Sequence, residues 1–171
     1  MIYFILWVIF SALLLLFTLL RPHPYRFSRF MAFESILSIV FLNADAWFDN
    51  PLSFTQILSW IFLSASLALV LHGFYLIKSK GKPEGDFEDT TQLIDIGAYR
   101  YIRHPLYASL LLFGSGAFLK DPSLLGGCLL STLFFGVVVT SIIEEQHNME
   151  RFGEPYEDFR QKTKRFIPFI F

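Results

Sequence analysis

Nineteen consecutive residues, Ile2–Leu20, carry no charge. A helix of about 20 apolar residues is what crosses the hydrocarbon of a bilayer, and a run of this kind has few other ways to fold. The chain repeats the pattern: Pro51–Ile77 is uncharged, with His72 near its end, and Ser123–Ile143 is uncharged throughout. Composition agrees. Hydrophobic residues make up 54% and charged residues 17% of the 171, with 21 Phe, whereas soluble domains average about 25% charged. A soluble monomer this small has too little interior for so much apolar surface. Disorder is excluded because it requires low hydrophobicity and high net charge. The net charge of −1 provides no basic field for nucleic acid. Cys128 is the single cysteine, so no internal disulfide forms, and its apolar setting marks it as a packing residue.

Two shorter apolar stretches complete the map. Phe30–Phe48 carries Glu34 near one end and Asp45 near the other, and Pro105–Leu119 is short for a span. Arg21-Pro22-His23-Pro24 ends the first run, because Pro cannot continue a helix interior. Asn50-Pro51 and Lys120-Asp121-Pro122 mark further turns. The expected architecture is an all-α integral membrane protein of about five transmembrane helices, the last two forming a C-terminal helical hairpin. It reads as one membrane domain, with three N-terminal helices in 1–77 and a polar, chemistry-bearing half in 78–171. With five spans, every Lys and Arg except Lys120 falls on one side. The positive-inside rule then places the N-terminus outside and the C-terminus in the cytoplasm. Both long polar segments, 78–104 and 144–171, meet on the cytoplasmic face.

Two clusters in those segments carry possible chemistry. The first is Gly97-Ala98-Tyr99-Arg100-Tyr101-Ile102-Arg103-His104-Pro105-Leu106-Tyr107. Pro105 suits a first helical turn, which places His104 near the N-cap at the membrane edge, where the positive helix end favours an anion. The plainer reading is a belt of Tyr and Arg interface anchors. The second cluster begins Glu144-Glu145-Gln146-His147-Asn148 and runs to Phe152-Gly153-Glu154-Pro155-Tyr156. If the helix continues, Glu144 shares a face with His147 and Asn148, and Glu145 lies on another side. Carboxylates at a membrane boundary are costly unless paired, which makes them functional candidates; the plainer reading is a solvated helix end. Glu144-x-x-His147 is half of a di-iron pattern, but no second copy exists, so no metal is expected. The basic, aromatic tail around Arg165-Phe166-Ile167-Pro168 is attractive to anionic lipid. There is no P-loop, Gly-x-Gly-x-x-Gly or Gly-x-Ser-x-Gly.

Gly97-x-Tyr99-x-x-x-Arg103-His104-Pro105-x-Tyr107 resembles the signature of the membrane methyltransferases related to isoprenylcysteine carboxyl methyltransferase and phospholipid methyltransferase. Glu144-Glu145, Phe152-Gly153-x-x-Tyr156 and Arg165-Phe166-x-Pro168 follow in the same order, so the resemblance covers about Thr91–Pro168. It implies S-adenosylmethionine (SAM) as methyl donor, held at the cytoplasmic face between the Arg-His-Pro segment and the C-terminal segment. It implies that His104 and Tyr107 contact the methionine part, with Arg103 beside them, and that Leu93 and Gly97–Tyr99 line the adenosine. One of Glu144 and Glu145 would bind a polar cofactor group such as the ammonium, and the other would lie near the reacting centre. The assignment taken is Glu145 to the cofactor and Glu144, with Arg165, to catalysis. The acidic residues Glu84, Asp86, Glu88 and Asp89 match nothing in the pattern.

SAM carries a sulfonium, an ammonium, a carboxylate and an adenine, and the two clusters hold matching groups. The acceptor is open. A carboxylate would be oriented by an Arg fork, whereas an amine would need a carboxylate base. The short chain favours a lipophilic small molecule or a prenylated acceptor drawn from the bilayer, in a prokaryotic inner membrane. The alternatives are phospholipid amine N-methylation, an NADPH-dependent sterol-type reductase using Lys78, Lys80 and Lys82 for phosphates, and a non-enzymatic membrane subunit.

Overall fold

A computed structural model describes residues 1–20, 24–84 and 90–171. The expected turn at Arg21–His23 and the acidic loop residues Asp86, Glu88 and Asp89 lie outside the described residues. The described chain is helical: α1 (Ile2–Leu20), α2 (Arg26–Leu42), α3 (Phe54–Leu76), α4 (Pro105–Phe118), α5 (Leu124–Phe152) and α6 (Glu154–Lys162).

Among the described residues, three helices are long and apolar enough to cross a membrane: Ile2–Leu20, Phe54–Gly81 and Leu124–Phe152. Only 6% of the apolar window of α1 is buried inside the protein. A soluble protein rarely leaves so long an apolar face in water, whereas lipid is its natural solvent. These helices make the chain an integral membrane protein. The other two expected spans are shorter helices. α2 begins at Arg26 and stops at Leu42 rather than running to Phe48. It stops because buried Asn43 turns its side chain across to donate to the Ala117 carbonyl at 2.8 Å, and a single tight turn, Ala44–Ala46, follows. α4 is a short apolar helix of 14 residues.

The helices approach one another through small residues and hydroxyls, as membrane helices do. α2 crosses α5 where Ser28 Oγ meets Thr140 Oγ1 at 2.8 Å. α3 holds α4 through Ser59 Oγ and Ser66 Oγ, which donate to the carbonyls of Gly116 and Ser109, each at 2.7 Å. α1 docks on α2 through Trp7–Ser38 and Ser11–Glu34 hydrogen bonds. Gly136 is a point of close approach in the α2–α5 crossing. A Cβ there would sit 2.7 Å from the Ser28 carbonyl oxygen and 3.1 Å from the Ala32 nitrogen, both backbone atoms. Gly136→Ala is therefore expected to push the two helices apart at a cost of about 1–3 kcal/mol, measured as a lowered unfolding temperature of the detergent-purified protein.

The turn between α4 and α5 is as short as expected, with Ser123 capping α5 by accepting from Gly126 N at 3.1 Å. Lys120, the one basic residue placed on the opposite side, is only 4% exposed. Its Nζ donates to Gln56 Oε1 at 2.9 Å and lies 3.6 Å over the Trp60 ring. That cage closes the bundle end away from the two polar clusters.

Candidate active site

The two clusters meet at one end of the bundle. α3 continues into a wider turn, Ile77–Gly81, and reverses at Lys82, whose φ is 44°. The chain returns through Leu93 and Ile94 to a tight turn, Gly97–Arg100. Gly97 has φ +60°, and a Cβ there would fall 2.5 Å from His72 Nε2. Glycine is needed twice at this position, for the left-handed backbone and for the close approach. Residues 101–104 then run beside the C-terminal segment: Lys164 N donates to the Tyr101 carbonyl at 3.0 Å, Arg103 N to that of Lys164 at 2.7 Å, and His104 N to that of Arg165 at 3.1 Å.

His104 is the N-cap residue of α4 with Pro105 following, as expected, but its ring makes no cap hydrogen bond. It turns to α5 instead. Nε2 lies 3.1 Å from Glu145 Oε1. A carboxylate accepts only, so this contact puts the imidazole proton on Nε2. Arg103 Nε donates to the same oxygen at 3.0 Å. Arg165 grips the carboxylate with a fork, Nε to Oε1 at 3.0 Å and Nη2 to Oε2 at 2.8 Å. Glu145 is 5% exposed, so one buried carboxylate ties three segments together. The fork also raises the pKa of Arg165 through its hydrogen bond to Glu145.

α5 runs unbroken past Ile143 to Phe152. Glu144 and Asn148 therefore share one face, as the helical spacing predicts, and both line a cavity of about 460 Å³. That volume lies within the ~300–1,000 Å³ of small-molecule sites. Its polar wall is formed by Tyr99, Arg103, His104, Glu144, Asn148 and Tyr156, with Leu93 and Tyr107 beside them. Phe17, Phe33, Val70, Phe74 and Leu110 line an apolar limb contributed by α1, α2, α3 and α4. Glu144 Oε2 is buried and has no hydrogen-bond partner among the described residues. It lies 3.9 Å from His104 Nδ1, beyond hydrogen-bond reach. Burial, with the Glu144 charge adding to it, raises the pKa of Tyr99 well above the ordinary phenol value. Burial also pushes the Tyr156 phenol up to about 12, with Glu145 adding. Both phenols are therefore neutral donors.

Of the residues singled out by sequence, Leu93, Tyr99, Arg103, His104, Tyr107 and Glu144 line the cavity. Gly97 packs behind its wall on His72, and Glu145 and Arg165 stand behind it in the clamp. His147 is not among the lining residues, and no group of three or more potential metal ligands occurs among the described residues. Lys78, Lys80 and Lys82 are exposed and lie outside this cavity. Sequence reasoning passed over Arg29 and Phe33. They sit four residues apart on α2 and face the cavity together, a spacing visible in the sequence but without meaning until α2 is placed.

Fold and site together define a membrane-embedded helical protein with a cofactor-sized cavity, polar on one side and apolar on the other. The sequence model of the phospholipid methyltransferase family matches residues 54–155. The chain belongs to that family. It is 32% identical over 84 residues to the protein-S-isoprenylcysteine O-methyltransferase of Schizosaccharomyces pombe, covering 46% of this chain and 34% of the relative. It is 33% identical over 92 residues to a probable protein-S-isoprenylcysteine O-methyltransferase of Oryza sativa subsp. indica, covering 49% of this chain and 44% of the relative. The matched part thus spans less than half the length of either relative.

Proposed function

We propose that the protein is a SAM-dependent membrane methyltransferase whose acceptor is a lipophilic molecule bearing a carboxylate, as the names of its relatives suggest. The observation that carries this reading is the buried Glu144 Oε2, which has no hydrogen-bond partner among the described residues, on the wall of a cavity that is polar on one side and apolar on the other. A buried carboxylate oxygen without a donor is unfavourable unless a ligand supplies one. A cationic ligand fits it, and SAM carries both an ammonium and a sulfonium. SAM, when bound, supplies an electrophilic methyl group.

The protein's own groups then have distinct tasks. Glu144 receives the cationic part of the cofactor. Tyr99 and Tyr156, neutral at physiological pH, donate hydrogen bonds, and Leu93 provides an apolar surface for a planar ring. His104 and Arg103, fixed by Glu145, hold the wall at the start of α4. This moves the cofactor-binding role from Glu145 to Glu144 and leaves Glu145 a positioning residue, because its carboxylate is already shared among Arg103, His104 and Arg165. Arg165 acts here as a positioning residue. Methyl transfer is a direct displacement, so holding donor and acceptor in line supplies much of the rate. A carboxylate acceptor is already deprotonated and needs no base.

The reading includes five membrane-crossing or membrane-embedded helices, with the N-terminus outside and the site facing the cytoplasm. The exposed cluster Lys78, Lys80 and Lys82 at the site end, against the caged Lys120 at the other, supports this orientation. The test is calorimetry on the detergent-purified protein with SAM and, separately, NADPH. Saturable SAM binding without NADPH binding is expected. NADPH binding without SAM binding would replace the methyltransferase reading with the reductase one, and binding of neither would leave the non-enzymatic subunit.

A further inference from the structure

His72 is the one imidazole in the apolar run of α3, and the candidate active site makes no direct use of it. Its neighbour Gly73 makes room for α4, since a Cβ there would fall 2.8 Å from Leu106 Cδ2. His72 faces the tight turn Gly97–Arg100 instead. Its Nε2 accepts from the backbone N–H of Ala98 at 3.4 Å. Among the described residues this is the one hydrogen bond between that turn and a helix, because the turn's other backbone bonds stay within 96–102. An imidazole accepts only at a nitrogen that carries no proton, so the proton here is on Nδ1, the reverse of His104. Gly97 completes the fit: a Cβ at 97 would fall 2.5 Å from the same Nε2. Tyr99 leaves this turn to line the cavity, and its ring packs against Leu76, Ile77 and Ile94. Apolar packing is non-directional and holds a ring loosely along a surface. A hydrogen bond has a preferred distance and angle, so the bond to Ala98 fixes where the turn stands.

We propose that His72 is a positioning residue: its Nε2 lone pair, with the bare Gly97 backbone against it, seats the Gly97–Arg100 turn on α3 and so places the Tyr99 phenol on the cavity wall. This accounts for glycine at 97 without giving that residue a ligand of its own. That Tyr99 meets a methyl donor there rests on the methyltransferase reading; the seating of the turn does not. The imidazole is otherwise exposed, so replacing it empties no space in the core.

The test is hydrogen exchange at the Ala98 amide, read by mass spectrometry on the detergent-purified full chain without ligand. In the wild type this amide is expected to exchange more slowly than in an unstructured peptide. His72→Phe keeps a ring and loses the acceptor, and Ala98 should then exchange about 2–10-fold faster, the worth of one hydrogen bond. His72→Gln supplies an amide oxygen as acceptor and should restore protection. Exchange along α5, followed in the same samples, should be equal in all three, which separates release of the turn from general loosening. SAM affinity by calorimetry is expected to fall by the same factor in His72→Phe and to return in His72→Gln. An unprotected Ala98 amide in the wild type overturns the proposal, and that measurement stands whether or not the Phe variant folds. Wild-type protection in His72→Phe overturns it too, as does a Gln variant that exchanges as fast as Phe. So does undiminished SAM affinity in a Phe variant whose turn is released. A wild type that shows the expected exchange pattern but binds no SAM keeps the seat and discards the methyltransferase reading.

Discussion

Glu145→Ala is expected to cost the protein about 3–5 kcal/mol of stability, because removing one partner of a buried ionic cluster leaves the others unpaired. Arg103 and Arg165 would lose their common acceptor, with side chains only 10% and 21% exposed. His104 would lose the contact that fixes its ring at the start of α4. The strand-like pairing of 101–104 with 164–165 would remain as backbone hydrogen bonds, without the charge that holds both to α5. SAM affinity should fall with stability. Thermal unfolding and calorimetry on the same preparation check this, and a drop of roughly 10 °C is the scale for a chain of this length. An Ala variant as stable as the wild type would show that the cluster is not what joins the three segments.

Glu144→Gln should behave oppositely, although the residue is the immediate neighbour. Its Oε2 holds no partner among the described residues, so folding loses little when the charge is removed. What it should lose is the cofactor. A hydrogen bond to a charged group is worth about 1.5–3 kcal/mol, or roughly 10–100-fold in SAM affinity. The unfolding temperature in the absence of SAM should stay within a degree or two. A variant that binds SAM normally would remove Glu144 from the binding wall. A variant that unfolds early would show that its carboxylate is structural after all.

This contrast marks the limit of what could be read from the chain. Apolar run lengths gave the three long helices, and turn residues gave the hairpin around Lys120. Motif order gave the family and most of the polar side of the cavity wall. The division of labour between Glu144 and Glu145 was not legible, because adjacent residues on a helix point about 100° apart. Only the position of the 103–104 and 164–165 segments decides which of the two meets cations. The extent of α2 was misjudged for a similar reason, since hydropathy does not reveal that Asn43 is drawn aside by the Ala117 carbonyl. Arg29 was counted among charges that orient a protein in its membrane, a role any exposed basic residue fills. Its place on the cavity wall depends on how α2 packs against its neighbours.

The shortness of α4 has a consequence for where the reaction would occur. Its first residues, Pro105 and Leu106, lie level with Gly73 of α3, whose helical path continues through the wider turn Ile77–Gly81, while α5 runs on from Glu144 to Phe152. At 1.5 Å per residue, both neighbours rise about 12 Å above the floor on which His104 stands. The site is thus a well between two helix ends rather than a flat platform. A prenyl or acyl chain withdrawn into water forfeits about 0.8 kcal/mol for each methylene. On the methyltransferase reading proposed above, a water-soluble donor entering such a well would reach a lipid acceptor without that lipid having to leave the bilayer.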